Sequence, residues 1–276
     1  MSGSVPPQPE VSVIITVFNE PELVGRAVAS VLAQTGVDFE VVIVDDGSTD
    51  STWEALRQFD DGRIRLHKRE RVGRAAALAF AAEASRGEFI ANLDADDEAL
   101  PGRLAKQAKF LAENSAYAWV GCAEERVDTQ RGEHLVRRYP TADETIRRQC
   151  AKCIPYSHSG IMFRRSLLDE GLNYDPNQKY LIDFEFFLRV ASRHKTANLE
   201  EVLARRYVRD ESFFQSNYRR AEQNRRLAEF GWKAVRDFKL PVYHAIFPLA
   251  RLVYPWLPNG IKRLVRRRNG LGEGEA

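Results

Sequence analysis

The sequence predicts an α/β chain built on a doubly wound, mostly parallel open sheet. Three observations carry this expectation. Two uninterrupted β-branched runs occur at 11–18 (VSVIITVF) and 39–45 (FEVVIVD), a helical period separates them, and a later run at 88–94 (EFIANLD) ends in acid. Continuous apolar runs of this length suit strands covered on both faces, the condition of a parallel sheet. Strands that alternate with helices over short connections wind helices onto both sides of it.

The first ten residues, MSGSVPPQPE, lack a basic start and an apolar stretch, so they read as a disordered leader rather than a signal peptide. After the first strand, Leu23, Val24, Ala27, Val28 and Val31 recur at helical spacing. Ser51 and Glu54 form a capping-box pattern ahead of Trp53, Leu56 and Phe59. A short strand at 64–67 and an Ala-rich helix at 73–84 complete the alternation. Beyond Asp97 the rhythm changes: a helix at 102–114, a strand at 117–123, polar sequence to about 157, then SGIMF at 159–163 as a short strand. Helices are expected at 180–193 and 211–237, and Trp119, Phe163, Phe184 and Phe187 as core. The segment 240–258 is apolar and aromatic but broken by Pro241, Pro248, Pro255 and Pro258. The expected organisation is one domain over 11–230, with halves 11–97 and 98–230, and a helical C-terminal extension over 231–276.

With 44% hydrophobic and 29% charged residues, the 276-residue chain can bury a core, and its mean hydropathy of −0.41 fits neither a disordered chain nor a polytopic membrane protein. No window approaches the roughly 18 apolar residues of a spanning helix. Three cysteines are too few for a disulfide framework and suit a reducing cytosol; Cys150 and Cys153 read as neighbours on helix turns. Charge is unevenly spread. Residues 233–268 carry nine bases and one acid, which leaves the rest of the chain with 32 bases against 38 acids. An acidic body with a basic tail directs the tail toward an anionic partner. Aromatic Tyr254 and Trp256 followed by Lys262, Arg263, Arg266, Arg267 and Arg268 suit a membrane interface; no recognition module accompanies the arginines, so nucleic acid is not expected.

Ligands of open α/β sheets bind beyond the carboxyl ends of the strands. Here those ends carry Thr16, Phe18 and Glu20, then Asp45 and Asp46, then Asp94, Asp96 and Asp97. Carboxylates crowded at one sheet edge repel one another unless a cation joins them. The Asp94-x-Asp96 spacing suits a hard divalent ion, Mn²⁺ or Mg²⁺, that leaves positions open for phosphates. A dinucleotide fingerprint, a P-loop and a nucleophile elbow are all missing from the sequence.

The pieces VSVIITVFNE, EVVIVDDGSTDST, RVGRAAALAFAAE and GEFIANLDADD, with YLIDFEFFLRVA further on, resemble the motifs of family 2 glycosyltransferases of the GT-A fold, in family order, over residues 11–212. The resemblance implies an inverting transferase that uses a nucleotide-diphospho-sugar, UDP-linked, and a glycan, glycolipid or lipid-linked acceptor. It implies Thr16, Phe18 and Glu20 at the base and ribose, Asp45 accepting the uracil N3–H with Asp46 alongside, Asp94 near ribose and metal, and Asp96 on the metal. Asp183 would be the general base with Glu185 as the fallback, and Arg209 would fold over the diphosphate. Thr16, Arg71 and Ile182 depart from the usual proline, asparagine and glutamate. A sugar nucleotidyltransferase and a non-catalytic nucleotide-sugar scaffold remain as alternatives. Work in the cytoplasm, at the inner face of the membrane, is the expected setting.

Overall fold

A computed structural model of the chain describes residues 8–208 and 220–257. They divide into two compact units. The first runs to Ile146 and resumes over Ile154–Asp210; the second comprises Arg147–Cys153 and the chain from Glu211 onward.

In the first unit, β1 (Val11–Val17), β2 (Phe39–Asp45), β3 (Ile64–Lys68) and β4 (Phe89–Asn92) form a parallel block in the order β3-β2-β1-β4. Their apolar runs are buried throughout β2 and β4 and in all but one position of β1. Each such Val or Ile is worth roughly 1.5–3 kcal/mol relative to an exposed one. Helix α1 (Pro21–Leu32) buries Val24, Ala27, Val28 and Val31 at the predicted spacing. In α2 (Thr52–Leu56) the cap is Asp50 rather than Ser51: its carboxylate accepts from the Thr52 amide at 3.0 Å and the Thr52 hydroxyl at 2.6 Å. Helix α3 (Arg74–Ala84) packs on β1 and β2 through alanines, small enough to bring the helix close to the sheet. Gly87 opens the turn into β4 because a Cβ there would lie 2.6 Å from the Ser12 nitrogen.

The remaining strands extend the sheet as β8-β6-β9-β5 with β7 on β6, where antiparallel joints enter: β5 (Glu98–Ala99), β6 (Tyr117–Asp128), β7 (Glu133–Arg137), β8 (Met162–Arg164) and β9 (Lys195–Val208). Strand β8 runs antiparallel to β4, pairing Met162 with Ala91. Its N-terminal approach, a 3-10 turn over His158–Gly160, is thereby delivered to the carboxyl end of β4. Helices α4 (Arg103–Glu113), α5 (Asp143–Cys150), α6 (Ser166–Asp169) and α7 (Ile182–Ala191) complete the described helices up to residue 208. Trp119 stacks on Phe163 at 5.7 Å and meets Phe186 and Phe187 edge-on, so the aromatics read as core are core.

Arg103 is fully buried and locks the β4–β8 joint. One nitrogen donates to the carbonyls of Asn92 (2.8 Å) and Ile161 (3.0 Å), and its Nε donates to Gln107, which in turn holds the Gly160 carbonyl at 2.8 Å. In the second unit, α8 (Arg220–Asp237) is followed by a 3-10 turn over Val242–Ala245, α9 (Ile246–Val253) and a 3-10 turn over Tyr254–Trp256. Gly231 on α8 gives close approach: a Cβ there would stand 2.9 Å from the Ala151 carbonyl. Cys150 closes α5 and Cys153 lies one turn on, its amide bonded to the Gln149 carbonyl.

Candidate active site

The parallel register aligns Val17 with Asp45, so the loops after β1 and β2 leave the sheet together. They are stitched to each other. Asn19, held at φ 54°, donates its amide to Ser48 Oγ (3.0 Å) and accepts from the Thr49 amide (2.9 Å), while the Glu20 amide donates to Thr52 Oγ1 (2.9 Å). Thr16 and Phe18 are half-buried beside this joint.

Asp45 is wholly buried; its Oδ1 accepts from the Ser48 amide at 2.9 Å, and its Oδ2 has no hydrogen-bond partner among the described residues. An unmet buried carboxylate oxygen costs about 1–3 kcal/mol or more, so a ligand donor at this point would be stabilised. Asp46 does different work. Its carboxylate accepts from the amides of Val72 (2.9 Å) and Gly73 (3.0 Å), fixing the chain as it enters α3. Gly47 is required where it stands: at φ 76°, a Cβ would meet the Arg71 nitrogen at 2.6 Å. Arg71, the residue in place of the usual asparagine, lies over the Phe18 ring at 3.0 Å and 3.8 Å from Asp46.

The loop after β4 carries the acids. Asp94, Asp96 and Asp97 each bring a carboxylate oxygen within 4.8 Å of the others. Asp94 Oδ1 accepts from Arg74 (2.7 Å) and Asn92 (3.1 Å) and lies 3.1 Å from His158 Nδ1. Burial pushes the Asp94 carboxyl up, but Arg74, His158 and Asn92 outweigh it and hold it well below the usual carboxylate range. Asp97 goes the other way: burial, reinforced by the charges of Asp96 and Asp94, raises it far above that range. Its oxygens accept from Ser159 Oγ and from the Tyr207 amide at 3.1 Å. The Asp96 carbonyl is held by Arg26 at 2.8 Å.

Arg74, first residue of α3, is the hub. Its guanidinium is held in the charged form chiefly by Asp94, with Asp183 and Asp96 contributing against the cost of burial. Its second neighbour, His158 Nδ1, is 3.2 Å away, and His158 Nε2 lies 3.2 Å from the buried Tyr174 hydroxyl. His158 therefore lies against the acid cluster. Asp183 stands in the first turn of α7, entered through Leu181 at φ 48°, and its carboxylate accepts from Tyr156 at 3.4 Å. Glu185 is held differently: both its oxygens accept from Arg189 Nε at 2.9 Å. Arg209 lies outside the described residues.

Arg74, His158 and Tyr174 carry no assigned role in the sequence analysis. The only signal was polarity in odd places: an arginine opening an alanine helix, and a histidine beside the apolar SGIMF strand. The physical arrangement is an acid cluster at a sheet edge, an unsatisfied buried acceptor nearby, and a histidine and an arginine that orient the first acid.

The chain's residues 12–172 match the model for "Glycosyl transferase family 2". EpsE of Bacillus subtilis (strain 168) is 28% identical over 280 residues, covering 97% of this chain and 99% of EpsE. The succinoglycan biosynthesis protein ExoU of Rhizobium meliloti is 33% identical over 193 residues, covering 65% of this chain and 56% of ExoU. Among solved structures, S. aureus TarS 1-349 in complex with UDP-GlcNAc superposes with a TM-score of 0.68 at 19% identity, over 88% of this chain and 71% of that TarS fragment. The mannosyltransferase PcManGT of Pyrobaculum calidifontis, in complex with GDP-Man and Mn²⁺, does so with a TM-score of 0.64 at 23% identity, over 89% of this chain and 70% of PcManGT. The fold is accordingly GT-A-like, an α/β unit on a sheet of parallel and antiparallel strands. With more than half of its length matched by that family's model, this chain belongs to glycosyl transferase family 2 and is an enzyme of glycosyl transfer.

Proposed function

We propose that the chain is an inverting glycosyltransferase that moves a sugar from a UDP-sugar to a hydroxyl of a glycan, glycolipid or lipid-linked acceptor. The observation that carries the reading is the meeting of Asp94, Asp96 and Asp97 within 4.8 Å at the strand ends, one loop away from the partnerless Oδ2 of Asp45. Three carboxylate oxygens are a hard donor set, which fits Mn²⁺ or Mg²⁺. An ion bound there supplies Lewis-acid neutralisation of charge on the leaving diphosphate. In this reading Asp96 and Asp94 hold it. PcManGT was solved with Mn²⁺ and GDP-Man, and TarS with UDP-GlcNAc, which supports a metal and a nucleotide-sugar donor.

The chain's own residues do the rest. Asp45 Oδ2 accepts the imide N–H of uracil, which is the ground for preferring a UDP-sugar. Thr16, Phe18 and Glu20 border the base and ribose, and Asp46 fixes the turn that sets Arg71 over Phe18. The diphosphate partner assigned from the sequence is Arg209. Asp183 takes the proton of the acceptor hydroxyl as the new bond forms, worth typically 10²–10⁴-fold; the hold of Arg189 on Glu185 favours Asp183 over that fallback. ExoU, named for succinoglycan biosynthesis, supports polysaccharide assembly as the setting. We place the activity in the cytoplasm at the inner membrane face.

Labelled nucleotide sugars with Mn²⁺ and extracted glycan or lipid-linked acceptors test this directly. Transfer from a UDP-sugar, abolished by Asp183→Asn with donor affinity retained, is the expected result. Pyrophosphate-dependent nucleotidyl exchange, or donor binding without transfer by wild type against every acceptor, would overturn it.

A further inference from the structure

The second unit presents an apolar face to solvent. Along the 3-10 turn at Val242–Ala245, through α9 and the 3-10 turn at Tyr254–Trp256, the exposed side chains are Val242, Tyr243, Ile246, Leu249, Leu252, Val253 and Trp256. Val242 and Trp256, near the two ends, are 86% and 83% exposed. Spacings of three and four between 242, 246, 249, 253 and 256 put these on one stripe. The helix is turned the opposite way from an ordinary surface helix. Its one charged residue, Arg251, points inward, donating to the Lys152 carbonyl at 2.7 Å, and burial pushes its guanidinium down. His244 and Pro248 are buried, and Arg251 is half-buried beside them in sequence. Ordinary amphipathic packing would bury the aliphatic side and expose the arginine. Monomers rarely leave so contiguous a patch in water.

We infer that this face docks on an anionic lipid bilayer, lying in the interface rather than crossing it. Three observations select that occupant. Tyr and Trp at the ends of an aliphatic stripe suit the headgroup boundary, where one edge is wet and the other apolar. The sequence that follows directly, residues 261–268, holds Lys262, Arg263, Arg266, Arg267 and Arg268 and no acid, complementary to anionic headgroups. No helix among the described residues is long and apolar enough to span. The inference deepens the acceptor side of the proposed function, since it sets the enzyme where lipid-linked acceptors are. It is tested without donor or acceptor, so its failure and that of the transferase reading are distinguishable.

The test is sedimentation of the full chain with vesicles of phosphatidylcholine, alone or with phosphatidylglycerol, at low and high salt. Each base near the surface contributes about a fivefold gain in partition at low salt, so binding to the anionic vesicles should fall steeply with salt. A salt-resistant remainder is expected from the apolar stripe. The double variant Ile246→Asp/Trp256→Asp should lose that remainder, by at least about tenfold in partition, while its thermal melt stays that of wild type. Bromine-labelled acyl chains, which need no variant, should quench Trp256 fluorescence. Wild type left in the supernatant with anionic vesicles at low salt would overturn the inference. So would a double variant that binds as wild type does, or a Trp256 already shielded from a soluble quencher before vesicles are added, which would mean that the chain's own residues or a second copy cover the face.

Discussion

Replacing Arg74 by glutamine should tighten the binding of Mn²⁺ to the nucleotide-free protein. The reasoning is competition between cations. Arg74 holds Asp94 Oδ1 at 2.7 Å, and the same carboxylate is one of three that converge within 4.8 Å. A metal arriving at Asp94 must displace or share that guanidinium. The Arg74 side chain is 50% exposed and that of Asp94 23%, so water screens the pair heavily. Pairs of that kind are worth about 0.5–1 kcal/mol, which corresponds to a roughly two- to fivefold gain in metal affinity when the arginine is removed. Titration followed by the loss of the free-Mn²⁺ electron paramagnetic resonance signal, at fixed salt and without nucleotide, reads this change. Arg74 opens a helix at a half-exposed position, so the variant should fold as wild type does. A metal affinity that is unchanged or weaker in the variant would refute the competition argument and mean that Arg74 supports the acid cluster rather than standing in for its cation.

Asp45→Asn should keep the Ser48 contact yet place an amide hydrogen where an acceptor is unmet, weakening UDP by about tenfold or more while leaving thermal stability near wild type; unchanged UDP affinity by calorimetry would remove Asp45 from the base site. Glu40 gives a pH signature. Burial pushes its carboxyl up, but Arg86, Ser12 and Arg65 outweigh this and hold it low. Because the folded value is depressed, its stabilising contribution is complete above the ordinary glutamate range, about 4.3, and is lost as pH falls through the folded value. Glu40→Gln should therefore lower stability by about 1–3 kcal/mol at neutral pH and flatten acid unfolding, read by denaturant melts at several pH values. The Cys122 thiol, buried and pushed up to about 11, should resist a disulfide reagent in the native protein, with half-buried Cys153 reacting first; mass mapping of the labelled peptide decides it.

The parallel half of the sheet was legible because burial on both faces writes itself into sequence as unbroken β-branched runs: Val11, Val13, Ile14 and Ile15, and Val41 through Val44, are almost wholly buried. Helix α1 was legible for the matching reason, one buried face at helical period. The α2 cap was misassigned because Ser51 and Asp50 are both good caps and adjacent. Pattern alone does not weigh a carboxylate that reaches two donors on Thr52 against a hydroxyl that reaches none. The antiparallel half hid more. β8 is three residues long, and nothing local in SGIMF says that it pairs with β4 rather than with a neighbour in sequence.

The same topology explains what the site reading reached and what it missed. Acids at strand ends advertise themselves, because the strand pattern locates the end and the residue type does the rest. Asp45, Asp94 and Asp96 needed no knowledge of distant contacts. His158 needed all of it, since it meets Asp94 across 64 residues of sequence only because β8 runs antiparallel to β4. Arg74 meets Asp94 across 20 residues because Asp46 clamps the Val72 and Gly73 amides and so aims the first turn of α3 at the β4 loop. Arg103, fully buried, then fixes both sides of that meeting by holding the carbonyls of Asn92 and Ile161 with a single nitrogen. A buried guanidinium costs several kcal/mol unless its donors are met. Here Nε and Nη2 are met while Nη1 finds no partner among the described residues, so Arg103 braces the carbonyls that flank Asp94 and His158 at a net cost in burial.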